Sequence, residues 1–145
     1  MNITILIGEI ALEEKNNVTQ EKFLDSVEKY WSKELSLQEF VNLNKDTILY
    51  SSTPYGNDKN GNPKQWVLGS PITHNHLLPT FSSVEEANKM FMSLGRGAFI
   101  IVQSTLKELL NTLDSSEQMK GLGLVIDPQN GIKGIEIPPH IRVEE

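Results

Sequence analysis

Apolar residues fall along this chain in two distinct rhythms. In the first third they recur at helical spacing. Ile3, Leu6, Ile7, Ile10 and Ala11 follow the i, i+3, i+4, i+7, i+8 pattern, which predicts a helix over about residues 2–15. Asn16-Asn17 breaks it. Thr19 is a candidate N-cap for a second helix whose face carries Phe23, Leu24, Val27, Tyr30 and Trp31. Ser36 opens a third, short helix with Leu37, Phe40, Val41 and Leu43.

From Thr47 the rhythm changes to that of strands. TILYSST at 47–53 is β-prone, and QWVLGSPI at 65–72 resumes the pattern after a polar turn centred on Asn60-Gly61. Asn-Gly favours a type I′ hairpin turn, so 47–53 and 65–72 are expected to pair antiparallel. Leu77–Phe81 reads as a short strand. Val84, Ala87, Met90, Phe91 and Leu94 form a helix face, preceded by capping-box spacings at Ser82/Glu85 and Ser83/Glu86. Gly95 stands where a left-handed C′ residue belongs. Ala98–Val102 is apolar throughout, as for a central strand covered on both faces. Ser104 or Thr105 caps a helix bearing Leu106, Leu109, Leu110 and Leu113. Leu122–Ile126 is another apolar strand ended by Asp127-Pro128. Ile135–Ile137 is a last strand closed by Pro138-Pro139, which blunt an edge. Two strand–helix–strand units in series imply parallel pairing. The expected fold is α/β (α+β): one domain over residues 1–145, with a single mixed sheet of about five strands, helices packed on it and an N-terminal helical segment.

Leu78-Pro79-Thr80-Phe81-Ser82 followed by Glu85-Glu86-Ala87 resembles the N-terminal domain of the SseB family, named for enhanced serine sensitivity. That domain carries an L-P-x-F-[ST]-x-x-E-E-A segment entering a helix, then an apolar strand, a helix and a strand ending in an N-P or D-P pair. Ala98–Val102, Leu106–Leu113 and Ile126-Asp127-Pro128 look like those features, and Ile137-Pro138-Pro139 fits the late part. Phe40 with Ile48-Leu49-Tyr50 looks like the helix leading into the family's first strand. The resemblance covers about residues 36–139 and leaves 1–35 as a helical extension. It implies a mixed α/β domain of unassigned biochemical activity and supplies no catalytic residues.

Charge narrows the function. The net charge is −6, with nine acids and five bases in residues 1–46 and ten and eight in 47–145. An acidic surface without a clustered basic face argues against nucleic acid as a partner. It suits a soluble surface or a basic protein partner. The chain has no cysteine, so it holds no disulfide, thiolate metal site, iron–sulfur cluster or cysteine nucleophile. It starts without a basic stretch, and Glu9 interrupts the apolar run, so a cytoplasmic protein without membrane anchor is expected.

Candidate chemistry is sparse. Gly95-Arg96-Gly97 presents a cation able to grip a carboxylate or phosphate on a partner; the competing reading is a glycine turn with a solvated arginine. Asp127 closes a predicted parallel strand, where open α/β sheets bind ligands. Gln103, Ser104 and Ser82 are expected at the same edge. The competing reading makes Asp127 an Asx turn before Pro128, and Ser82 and Ser104 plain helix caps. His74 and His76 have strand-alternate spacing but no third ligand nearby, and His140 is remote in sequence, so no metal is expected. The sequence contains no G-x-S-x-G elbow, and no cofactor is indicated. Tyr55 and Trp66 flank the turn, with core packing the simpler role for Trp66. The reading that emerges is a non-enzymatic protein-interaction domain of SseB type, monomeric or weakly dimeric, with an unknown protein partner. The alternatives are an immunity-like protein binding a basic toxin, and a small-molecule site at the Asp127 crevice.

Overall fold

The computed structural model describes residues 21–52, 56–57, 63–64, 67–93, 101–117, 119–128 and 134–144. The helix expected over 2–15, the Thr19 cap, Tyr55, Trp66 and the Gly95-Arg96-Gly97 turn lie outside them. In chain order the elements are α1 (21–31), α2 (Leu37–Leu43), β1 (Ile48–Ser52), β2 (Gly56–Asn57), β3 (Pro63–Lys64), β4 (Leu68–Gly69), β5 (His76–Thr80), α3 (Val84–Ser93), β6 (Ile101–Thr105), α4 (Leu106–Ser115), β7 (Gly123–Ile126) and β8 (Ile135–Ile137).

Helix starts follow the capping chemistry. Ser36 Oγ accepts from the Glu39 N–H at 3.1 Å, while the Ser36 N–H donates to Glu39 Oε1 at 2.9 Å. Thr105 and Glu108 repeat this reciprocal arrangement at α4. Each box satisfies two backbone donors that a helix end otherwise leaves open. At α3 the cap is Ser83, which accepts from the Glu86 N–H at 3.2 Å.

The expected mixed α/β architecture is present, with its strands divided between ladders. β4, β5, β7 and β8 form one four-stranded sheet in that order, in which β5 and β7 are parallel and the other pairs antiparallel. β1 and β6 form a two-stranded antiparallel ladder. A single bridge joins the two: the Tyr50 N–H donates to the Phe81 carbonyl at 2.8 Å and the Phe81 N–H returns a bond to Tyr50 at 2.9 Å. β6 therefore runs in the same direction as β5 with β1 between them, and α3 crosses over β1 to connect them.

Two expectations are corrected. β1 does not pair with 65–72; it pairs with β6, from Ile48↔Thr105 to Ser52↔Ile101. The turn over 58–62 is closed instead by the short β2–β3 ladder, Gly56↔Lys64 and Asn57↔Pro63. β1 places Leu49, Ser51 and Ser52 inside the fold. Burial selects the distant partner over the local one. Second, of the strand expected at Ala98–Val102, residues 98–100 lie outside the described residues; β6 runs on to Thr105, pairs with β1 alone among the described residues, and leaves Val102 and Gln103 exposed. Ile101 packs against the Phe81, Ala87 and Phe91 cluster, while the exposure of Val102 overturns burial on both faces.

Leu49 and Tyr50, adjacent in β1, belong to different apolar clusters, as side chains on opposite faces of a strand must. The larger cluster packs α1, α2 and α4 against the sheet through Phe23, Phe40, Leu49, Leu78, Leu110, Leu124 and Ile126. The smaller sets Phe81 edge-on to Phe91 of α3, with ring centres 5.7 Å apart. A buried polar chain fixes α1 relative to α2 and β1. Asn44 Nδ2 donates to Ser26 Oγ (2.9 Å) and to the Phe40 carbonyl (3.0 Å), and Thr47 Oγ1 donates to Asn44 Oδ1 (3.0 Å). Such fully satisfied networks restrict how two helices can sit. The C-terminal residues are stapled back by Arg142, which pairs with Asp114 at 3.0 Å and donates to the Ile141 carbonyl at 2.8 Å.

Candidate functional site

The parallel pair β5–β7 ends at Thr80↔Ile126, and the chain after it carries the most constrained polar group described. The Asp127 N–H donates to the Thr80 carbonyl at 2.8 Å, prolonging the pairing by one residue. Asp127 has φ 54, in the left-handed region that aspartate and asparagine tolerate better than most residues. This turn aims its carboxylate back at Ser82. Oδ1 accepts from the Ser82 N–H at 2.8 Å and Oδ2 from Ser82 Oγ at 2.7 Å. Burial pushes the Asp127 carboxyl above its ordinary range, with the nearby Glu86 charge adding to that, while the two Ser82 bonds pull it down. Desolvation outweighs hydrogen bonding here because two donors replace only part of a carboxylate's hydration.

Beside this clamp lies a pocket of about 180 Å³ lined by Phe23, Val27 and Trp31 of α1, and by Ile126, Asp127, Gly134 and Ile135. Gly134 is obligatory there: a Cβ on it would run into the Ile126 carbonyl oxygen and lie 2.9 Å from the Asp127 carbonyl carbon. Trp31 forms a wall and remains 56% exposed. Its indole meets the Tyr30 ring edge-on at 5.1 Å, and Tyr30 in turn packs 5.6 Å from Phe40 in the core. On the other side of Trp31 an open groove of about 570 Å³ is lined by Tyr30, Lys33, Leu35, Leu37 and Glu39, among others.

The structure brings together Asp127 and Ser82 among the residues the sequence singled out, in a role different from the one expected. Ser82 caps no helix, since Ser83 does, and the Asp127 carboxylate bonds to the end of β5. Gln103 is not part of the site. It lies opposite Tyr50, and Tyr50 bridges to Phe81, level with Asp127. Three strand spacings of roughly 4.8 Å put Gln103 about 14 Å from Asp127. Ser104 stands one residue further along the same outer strand. Gly95, Arg96 and Gly97 fall outside the described residues. His74 and His76 are exposed, and among the described residues no cluster of three or more His, Asp and Glu is placed to hold a metal.

Trp31 is the residue the sequence undervalued. At 3.6 residues per turn it stands about 80° round α1 from Phe23, and Leu24 about 100°, whereas Val27 and Tyr30 are within about 40°. Phe23 is buried, while Leu24 is 54% exposed. The apolar arc was too wide to be all core, and that width was the available signal. No family model, curated protein or solved structure matches the chain. Among the described residues, no helix is long and apolar enough to cross a membrane.

Proposed function

We propose that this chain is a cytoplasmic protein-binding domain and not an enzyme, consistent with what its resemblance to the SseB N-terminal domain implies. The observation carrying this reading is Trp31, a large aromatic ring more than half exposed, held rigid from behind by Tyr30 and placed between two concavities. Exposed apolar area gains free energy only when something covers it, and tryptophan is among the residues that dominate binding hot spots. The Asp127 carboxylate supports the same reading from the other side: both its oxygens are engaged by Ser82, which leaves it poorly suited to general-base work. The net charge of −6 favours a basic partner, which keeps the immunity-like role as a second reading, tested by rescue on co-expression with neighbouring toxin genes.

The test is a pull-down from the native host with tagged wild type, Trp31→Ala and Arg96→Glu, read by mass spectrometry alongside thermal melts. A stoichiometric partner lost in Trp31→Ala with an unchanged melting temperature is expected. Retention of every partner by that variant would remove Trp31 as the anchor. Turnover of a metabolite by the purified protein, lost in Asp127→Asn, would make it an enzyme.

A further inference from the structure

We infer that the pocket between α1 and the β7–β8 end accepts a cationic side chain, lysine or arginine, presented by the protein partner. This rests on the protein-binding reading above and specifies its chemistry. Trp31 and Asp127 line one pocket whose other walls, among the described residues, are mainly apolar: Phe23, Val27, Ile126 and Ile135. An apolar sleeve with an aromatic ring and a carboxylate is what a long cationic side chain needs. The methylenes lie on the aliphatic walls, the charge sits by the indole face, and the carboxylate accepts the terminal N–H. At roughly 30 Å³ for each water-sized group, a volume of about 180 Å³ holds about six such groups, enough for the whole lysine side chain or for arginine beyond its Cβ.

Among the described residues the carboxylate also lacks a partner of opposite charge. Each Asp127 oxygen accepts one bond from Ser82 and keeps a lone pair, and both donors are neutral. The like charge of Glu86, itself paired with Lys89 at 3.4 Å, acts on the carboxylate instead. A part-buried carboxylate with no counter-charge among the described residues is costly to maintain, and an incoming cation lowers that cost. The overall acidity of the chain favours the same partner.

The experiment is an amide-shift NMR titration of the full chain with capped lysine (N-acetyl-lysine methylamide), capped norleucine and n-butylammonium. Each is run on wild type, Asp127→Asn and Ser82→Ala. Capped lysine is expected to give saturable shifts at the Trp31 indole and the Gly134 amide, with capped norleucine about 10-fold weaker or worse, as befits loss of one charge-assisted bond. Asp127→Asn should lose a similar factor. Ser82→Ala should keep binding, because it loosens the clamp and retains the charge, which a purely structural role for Asp127 does not predict. Equal binding of lysine and norleucine, undiminished binding by Asp127→Asn, or no shifts with capped lysine overturns the inference. Tight binding of n-butylammonium without capped lysine overturns the protein source and makes this a free-amine site. In the pull-down, a partner lost in Trp31→Ala but kept by Asp127→Asn overturns this inference alone, whereas no partner at all overturns the protein-binding reading.

Discussion

The Asp127 clamp yields a prediction in which two substitutions at one position move stability in opposite directions. In Asp127→Ala the Ser82 N–H and Oγ lose their acceptors. The Ser82 Oγ–H is free to turn toward solvent, so the N–H is the part-buried donor left unpaired, at about 1–3 kcal/mol, and alanine at φ 54 adds about 1 kcal/mol of left-handed strain. The sum, about 2–4 kcal/mol, corresponds to a fall in melting temperature of roughly 5–15 °C for a chain of this size. In Asp127→Asn the amide oxygen still accepts from the Ser82 N–H, the amide nitrogen donates to Ser82 Oγ, and asparagine tolerates the backbone. The desolvated charge is gone, so at pH 7 this variant should match or exceed wild type. Because folding raises the Asp127 pKa, the folded state holds its proton more tightly than the unfolded one. Wild-type stability therefore falls as pH rises from the unfolded value of about 3.9 through the folded value, and recovers below that window. Asparagine does not titrate. Circular-dichroism melts of both proteins from pH 3 to 8 should show an advantage for Asp127→Asn above the window that vanishes below it. A pH-independent difference, or destabilisation of Asp127→Asn as large as that of Asp127→Ala, would refute the claim that burial outweighs the Ser82 bonds.

Other consequences are simpler. Gly134→Ala should cost about 1–3 kcal/mol or abolish folding, since the added methyl meets the Ile126 carbonyl; chemical denaturation measures it. Ser36→Ala and Thr105→Ala should each cost about 1 kcal/mol at pH 7 by removing an N-cap. Glu39 and Glu108 have pKa values lowered chiefly by the backbone N–H groups of Ser36 and Thr105, so their share of each cap is present above the ordinary glutamate range and should disappear as the pH falls through the lowered folded values, read by melts on the acid side. Arg142→Ala should release the C-terminal residues from Asp114 and the Leu122 carbonyl, raising amide exchange over 138–144 while leaving that of β7 unchanged.

What the sequence revealed depended on whether the determining interactions were local. Capping boxes are local, so the starts of α2 and α4 were legible from Ser36/Glu39 and Thr105/Glu108 alone. β7 and β8 were legible because both faces or an adjacent proline pair mark them. The partner of β1 was not. An Asn-Gly turn announces a hairpin, but nothing local says that the hairpin will close on Gly56–Lys64 and leave β1 for a strand some fifty residues on. That choice is made by which pairing buries Leu49 and Ile101, a property of the assembled sheet. The same limit explains β6: apolarity at Ile101 and Val102 fixed neither its end nor its place at one side of β1.

The site was half legible for the same reason. Asp127 stands out because open parallel sheets bind ligands beyond the carboxyl ends of their strands, and β5 and β7 do end there. Gln103 is expected at the same sheet edge from the parallel topology, and the placement of β1 and β5 between β6 and β7 separates the two residues. Trp31 went unselected because a helical periodicity reports a face but not its width. Once α1 is locked by Asn44, Ser26 and Thr47, the core takes Phe23, Val27 and Tyr30, and the flank bearing Leu24 and Trp31 is left over. A flank left over in this way is apolar surface that folding does not cover. In this chain it borders the one strand end where a carboxylate also lacks a counter-charge among the described residues, and that coincidence ties the binding reading to one place on the molecule.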